Sequence, residues 1–257
     1  MPYPPLAYPP MPRRSEEPTF ATVAEERLHR QRHCALAYRM FAALGWGQTG
    51  DGHISARDPE RQDHFWLLRF GVPFGHATVD DLVLVAPDGS VVDGDGEINE
   101  TAYHIHMPIH DARPEVVSVA HTHTAYGTPW SANVQPFRAI SQEACCFVHS
   151  QSIFDGEELN VVSYEEGTRI AEAMGATRLC ILRNHGLLVG GESVATAVGF
   201  YVMAERVAET HVKAPDAVAI SEEGSKRLAE WAEKPSVGRS TFEFLLRSVI
   251  PDPSVVG

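Results

Sequence analysis

The sequence predicts a single α/β domain, a central sheet covered by helices. Two kinds of segment and the absence of a third carry that prediction. Short apolar runs such as Val116-Val117-Ser118-Val119-Ala120 and Leu179-Cys180-Ile181-Leu182 have the length and composition of buried strands. Longer segments between and around them keep a helical period, most clearly over residues 193–212. No internal repeat and no linker interrupts residues 20–250, so strands and helices share one core. A chain of 257 residues is long enough to bury it.

Taken in order, residues 1–18 contain seven prolines and read as an extended arm, an unstructured tail by default. The domain proper is 19–257. Thr22-Val23-Ala24-Glu25 fits a capping box that opens the first helix, in which Leu28, Leu36, Met40, Phe41 and Leu44 keep the period. Gly45 and Gly47 stop it. Gly50-Asp51-Gly52-His53 is a Gly-rich turn entering a strand. Such turns expose N–H groups that can hold an anion, although most are only turns. Strands follow over 64–68 and 82–86, then a turn at Pro87-Asp88-Gly89-Ser90 and a returning strand at Val91-Val92. A helix starts at Asn99 or Glu100 and runs to Asp111, and Arg113-Pro114 ends it. Beyond the strand at 116–120 come a short helix (125–132), a strand (160–163), a helix (165–174), strands at 179–182 and 187–189, and helices over 193–212, 221–231 and 240–249.

The apolar fraction of 44% and charged fraction of 21% are those of a soluble globular protein. A net charge of −13 without a basic cluster argues against nucleic acid and anionic membranes as partners. No apolar run approaches ~18 residues. The N-terminus lacks a signal-peptide layout. The four cysteines form no C-x-x-C pair, which fits a reduced, cytoplasmic protein.

The apolar run at 116–120 ends in His121-Thr122-His123. Alternate residues of a strand share a face, so the two imidazoles project together. They are either two solvated histidines or two-thirds of a catalytic metal site, which uses three protein ligands and keeps one position open. His185, in Arg183-Asn184-His185-Gly186 directly after a second apolar run, is the candidate third ligand. His106 and His110 are four apart on a helix, where a second metal pair is less expected than packing against the core or a backbone carbonyl.

Together GHISAR (52–57), HIHMPIHDARPEVVSVAHTH (104–123) and LRNHG (182–186) resemble the class II aldolase/adducin family, from about Thr22 to near Val212. The resemblance implies a three-layer α/β/α sandwich with a mostly antiparallel sheet. It implies a divalent metal on His121, His123 and His185, with Zn²⁺ first and Fe²⁺ or Mn²⁺ as alternatives. It also implies a homotetramer with active sites between subunits, acting on a small molecule. The family's sugar-phosphate aldolases carry Ser-Ser-Glu before their helix, the Glu acting as acid/base. A gap-free count from His121 puts that triplet on Glu100-Thr101-Ala102. The catalytic Glu is then Ala102, and Glu100 would repel a phosphate dianion. The family's Asn in the Gly-rich turn is here His53.

Glu100 and Glu143 are the candidate replacements for the lost acid/base, each with a plain alternative as a helix N-terminal or surface carboxylate. Tyr126 could bind a ligand or simply pack. Gly52, His53, Ser55, Arg69 and Gln142 are candidate substrate-binding residues. Arg69 could grip a carboxylate bidentately or snorkel to the surface. The function expected is a metal-dependent lyase that breaks a C–C bond next to a carbonyl in a non-phosphorylated, carboxylated substrate. Decarboxylation is favoured over aldol cleavage because it asks less of an acid/base. The alternatives are an Fe(II) oxidative decarboxylase or oxygenase on the same three histidines, and a non-catalytic adducin-like scaffold.

Overall fold

A computed structural model describes residues 7–9, 11, 16–157 and 160–257. The helices are α1 (Val23–Ala43), α2 (Glu100–Ala112), α3 (Gly127–Ser131), α4 (Tyr164–Met174), α5 (Val194–Lys213), α6 (Glu222–Ala232) and α7 (Pro235–Val249). The strands are β1 (Gly52–Arg57), β2 (Phe65–Leu68), β3 (Leu82–Val85), β4 (Val91–Asp93), β5 (Ser118–Thr122), β6 (Gln151–Phe154), β7 (Leu179–Leu182) and β8 (Gly186–Gly191). They form one open sheet of order β4-β3-β2-β1-β5-β8-β7-β6. Every pairing is antiparallel except β6 with β7.

The period of two along the central strands builds the two faces. Ile54, Ala56, Ala120, Leu187 and Val189 join the core shared with α1, α5 and α7. Val119, Leu188, Cys180 and Leu182 face the other way, against Ile105 and Ile109 of α2 and Ile170 and Met174 of α4. The expected α/β/α layering and mostly antiparallel sheet are both present.

The capping box at Thr22 forms as its sequence predicts: Glu25 N–H donates to Thr22 Oγ1 at 3.2 Å, and Thr22 N–H donates to Glu25 Oε2 at 3.2 Å. The strand expected over 160–163 does not form. Ser163 instead caps α4 through a second capping box with Glu166, which commits the preceding residues to an entry turn. The strand in this part of the chain is β6, whose Gln151 and Ser152 carry no apolar alternation to announce it. The last helix also starts earlier than expected, with Pro235 in its first turn, where a missing N–H does no harm. Within the proline-rich arm, Tyr8 donates its hydroxyl to Ile250 O at 2.8 Å, and Ala7 N–H bonds Pro251 O at 3.1 Å. Residues 1–6, 10 and 12–15 of the arm lie outside the described residues. Among the described residues no helix is long and apolar enough to cross a membrane.

Just after β1, the buried Asp58 accepts from Arg27 Nε (2.6 Å), Trp66 Nε1 (3.0 Å) and the Glu60 and Arg61 N–H groups. Burial pushes its carboxyl up, but these donors outweigh burial and hold it at about 2. The folded value lies below the unfolded one. The stability it gives is therefore full above the ordinary aspartate range and is lost as pH falls through about 2. Asp58→Asn should be less stable by about 2 kcal/mol at pH 7 in urea titrations. The gap from wild type should narrow below about pH 4. A gap that is independent of pH would show that the carboxylate's charge is not what matters.

Candidate metal centre

The centre of the sheet brings three chain segments to one end. β1 begins there, β5 ends there and β8 begins there: Gly52 pairs with Thr122, and Thr122 with Leu187. Gly52 has φ +126, and a Cβ on it would lie 2.5 Å from Thr122 Cβ and 2.7 Å from the carbonyl oxygen of His121. Only glycine lets β1 start so close to the histidine strand.

His121 lies in β5 and His123 one residue beyond it. His185 lies in the three-residue turn Arg183-Asn184-His185 between β7 and β8, where Asn184 takes the left-handed φ of 55. One donor nitrogen from each of His121, His123 and His185 falls within 4.8 Å of the others. Among the described residues this is the group of His, Cys, Asp and Glu whose donor atoms converge in that way. Metal–nitrogen bonds of about 2.0–2.1 Å need donors no more than roughly 4 Å apart. The set stands within about 1 Å of that span.

The local chemistry fits a cation. His121 Nδ1 lies 2.8 Å from Leu187 O. A carbonyl can only accept, so Nδ1 carries the proton and Nε2 keeps its lone pair. Burial pushes the His121 imidazole well below its ordinary pKa, and the neighbouring His185 and His53 act in the same direction. Burial, reinforced by His123, brings His185 to about 4. Both are neutral imidazoles at pH 7. His121 and His185 are buried, whereas the His123 side chain is 44% exposed, so the cluster opens to solvent on that side. Asp51 Oδ2 stands 3.8 Å from His123 Nδ1, too far for a hydrogen bond.

Two anchors that the sequence reading did not single out hold the histidine strand and its exit. The Tyr201 hydroxyl of α5 donates to Thr122 O at 2.5 Å and accepts Thr122 N–H at 3.1 Å. The buried Glu205, one turn further on, accepts from Thr124 Oγ1 (2.6 Å), Tyr126 N–H (2.9 Å) and Gly127 N–H (2.7 Å). A lone acid among Phe200-Tyr201-Val202-Met203-Ala204 was the available signal.

The remaining expected site residues divide into those near the centre and those elsewhere. A hollow of about 320 Å³ beside β1 is lined by Gly52, His53, Arg69, Phe70, Phe74 and Asn99, among others. His53 stands with its ring centroid 5.0 Å from that of His121. Arg69 borders the hollow, but its Nε and Nη2 both donate to Asp81 Oδ1, at 3.1 and 2.7 Å. Ser55 does not reach the hollow. It is fully buried, its Oγ 2.8 Å from His110 Nε2 and accepting Val119 N–H at 3.3 Å. The rings of His106 and His110 meet edge-on at 6.5 Å, but their nitrogens go to different partners: His106 to His53, and His110 to Ser55 and Val116 O. Arg57 secures the same region by donating to Val116 O (2.9 Å) and His110 O (2.6 Å).

Glu100 is exposed in the first turn of α2, where the helix dipole favours a carboxylate. Gln142 and half-buried Glu143 line a different hollow, of about 550 Å³, with Arg206, Trp231 and Phe244. None of His121, His123 and His185 lines that hollow. Tyr126 packs against the core, and the Lys213 ammonium sits 5.1 Å from its ring centroid. Ala102 is fully buried in an apolar cluster with Phe65, Leu67 and Met107.

The family model for the Class II Aldolase and Adducin N-terminal domain matches residues 32–228. A 4-hydroxy-3-prenylphenylpyruvate oxygenase/4-hydroxy-3-prenylbenzoate synthase of Streptomyces roseochromogenus subsp. oscitans is 37% identical over 188 residues, covering 72% of this chain and 68% of that protein. Decarboxylase NovR of Streptomyces niveus is 36% identical over 190 residues, covering 73% of this chain and 70% of that protein. Among solved structures, L-fuculose 1-phosphate aldolase from Glaciozyma antarctica PI12 superposes with a TM-score of 0.85 at 31% identity, covering 91% of this chain and 93% of that one. The histidine cluster, the layered sheet and these matches agree: the chain belongs to the class II aldolase/adducin family.

Proposed function

We propose that the protein is a metal-dependent carbon–carbon lyase. Its substrate is a small, non-phosphorylated, carboxylated molecule, and decarboxylation is favoured over aldol cleavage. The observation that carries this reading is the convergence of three neutral imidazoles, open on one side, beside a hollow large enough for a small molecule. When bound, a divalent cation supplies positive charge that stabilises negative charge developing on a substrate oxygen next to the breaking bond. His121, His123 and His185 hold that cation, with Zn²⁺ the first candidate and Fe²⁺ or Mn²⁺ the others. The Leu187 carbonyl fixes the His121 ring, and Glu205 fixes the loop that follows His123. Phe70, Phe74 and neighbouring apolar side chains in the hollow keep water from part of the substrate.

The names of two relatives, a decarboxylase and an oxygenase, support loss of a carboxyl group as the reaction. The oxygenase name also favours a second reading, Fe²⁺ with O₂ as co-substrate, because three imidazoles suit iron as well as zinc. An adducin-like scaffold without catalysis has no need of the three converging ligands. Glu100 and Glu143 remain the candidate proton donors. In a cytoplasmic homotetramer, the assembly this reading includes, Gln142 and Glu143 would serve a neighbouring copy's site.

The test combines metal analysis of the purified chain with CO₂ release from a panel of 2-oxo acids, under nitrogen and under air. About one divalent ion per chain and CO₂ release under nitrogen are expected. Release only with Fe²⁺ and air would replace the lyase with the oxidative reading. Absence of metal after titration with each ion would favour the scaffold.

Sugar phosphates form the contrast set. Ala102 is buried among apolar side chains where the aldolases' Glu is expected, so no proton can be delivered from that position. Turnover of L-fuculose 1-phosphate should fall about 10²–10⁴-fold below that of a dedicated aldolase. Comparable turnover would overturn both this expectation and the preference for an unphosphorylated substrate.

A further inference from the structure

Where the family's sugar-phosphate aldolases carry Asn, this chain places His53, and α2 sets a second buried imidazole behind it. His53 Nδ1 and His106 Nε2 are 2.7 Å apart, with His53 4% exposed and His106 fully buried. Both rings are buried, and at this separation one of the two nitrogens must be protonated and the other bare. A single proton therefore lies between the two nitrogens, and its origin fixes both tautomers.

The two arrangements differ at the far side of His106. Its Nδ1 is buried and has no hydrogen-bond partner. If His53 donated, His106 Nδ1 would have to carry its proton as an orphaned buried N–H, which folded proteins rarely tolerate. If His106 donates from Nε2, its Nδ1 is a bare lone pair, the less severe omission. His53 Nδ1 is then the acceptor and His53 Nε2 carries the proton. His53 lines the hollow, and with Nδ1 engaged, Nε2 is the nitrogen left to face it. A protonated nitrogen cannot ligate a metal. Consistently, His53 stays outside the converging donor set although its ring is 5.0 Å from that of His121.

We infer that His53 is a substrate-binding hydrogen-bond donor for a carboxylate or carbonyl oxygen, and that His106 is the positioning residue that holds it in the Nε2–H tautomer. This deepens the proposed function, resting on the reading that an oxygen-rich substrate lies beside the three histidines. An asparagine can turn either a donor or an acceptor to a ligand. The hydrogen-bonded pair offers a donor only, which selects for an anionic or carbonyl oxygen.

The test reads the tautomer first. Long-range ¹H–¹⁵N correlation spectra of the full chain, with and without Zn²⁺, should show His53 protonated at Nε2, with its resonances assigned by loss in His53→Asn. This measurement does not depend on metal or turnover, so its failure is distinct from failure of the lyase reading. Protonation at Nδ1 would overturn the inference. The second arm titrates the zinc-loaded chain with oxalate. His106→Leu removes the donor and should weaken oxalate about tenfold or more with metal content unchanged. His106→Gln retains an N–H for His53 Nδ1 and should bind oxalate within a few-fold of wild type. Equal oxalate affinity in His106→Leu and wild type would overturn the positioning role. If His106→Leu fails to fold, the wild-type tautomer and His106→Gln decide.

Discussion

His185→Ala should leave the purified chain without its metal. Structural zinc sites are worth about 10–16 kcal/mol, so one of three protein ligands accounts for roughly 3–5 kcal/mol, or on the order of 10²–10⁴ in affinity. The fold should survive, because Asn184 and Gly186 supply the backbone shape of the turn and, among the described residues, the His185 ring meets only the rings of His121 and His123. His121→Ala should lose the metal equally but also stability, since it leaves the Leu187 carbonyl oxygen without its donor, about 1–3 kcal/mol. Plasma emission analysis after dialysis, paired with thermal melts of metal-free protein, separates the two effects. Retention of wild-type metal by either variant would show that these imidazoles are not the ligands.

Glu205→Ala should strike the site from outside it. The substitution strands the Thr124 hydroxyl and the Tyr126 and Gly127 N–H groups, which now converge on one carboxylate. Each charge-assisted bond is worth about 1.5–3 kcal/mol, and rehydration of the loop will recover part of it, so a net loss near 3 kcal/mol is expected. The loop carries the chain away from His123, so metal affinity should drop by about 10–100-fold, the range for groups that orient ligands. Glu205→Gln keeps one acceptor oxygen and should fall between wild type and alanine in both respects. Urea titration of the metal-free chain and chelator competition of the loaded one measure the two. Unchanged metal affinity alongside lost stability would confine Glu205 to a structural role.

The contrast between His185 and Glu205 shows what the sequence could and could not disclose. His121 and His123 are legible because a period-two strand puts alternate residues on one face, and His185 because a second apolar run ends just before it. Most elements followed from caps and periods in the same way, Thr22 and Glu25 among them. Glu205 was not legible, because its partners lie some eighty residues earlier and no local pattern links α5 to the loop after β5. Ser55 shows the opposite failure. Its place in a ligand-like motif suggested substrate, but it lies on the same face of β1 as His53, two residues further along the strand, where it meets His110 instead of the hollow. The strand β6 escaped because it borrows its stability from β7 rather than from its own apolar residues.

The pairings at the sheet's centre also decide when the site can exist. His121 meets His53 on β1 and Leu188 on β8 through contacts that bridge roughly seventy residues on each side, and such long closures are slow to form. Until both have closed, His121 and His123 are a lone sequence pair and His185 is a distant residue on an unpaired hairpin. A cation that needs all three imidazoles would have no complete site to bind until both pairings have formed. By binding the folded chain and not the unfolded one, such a cation would act as a latch on the finished sheet.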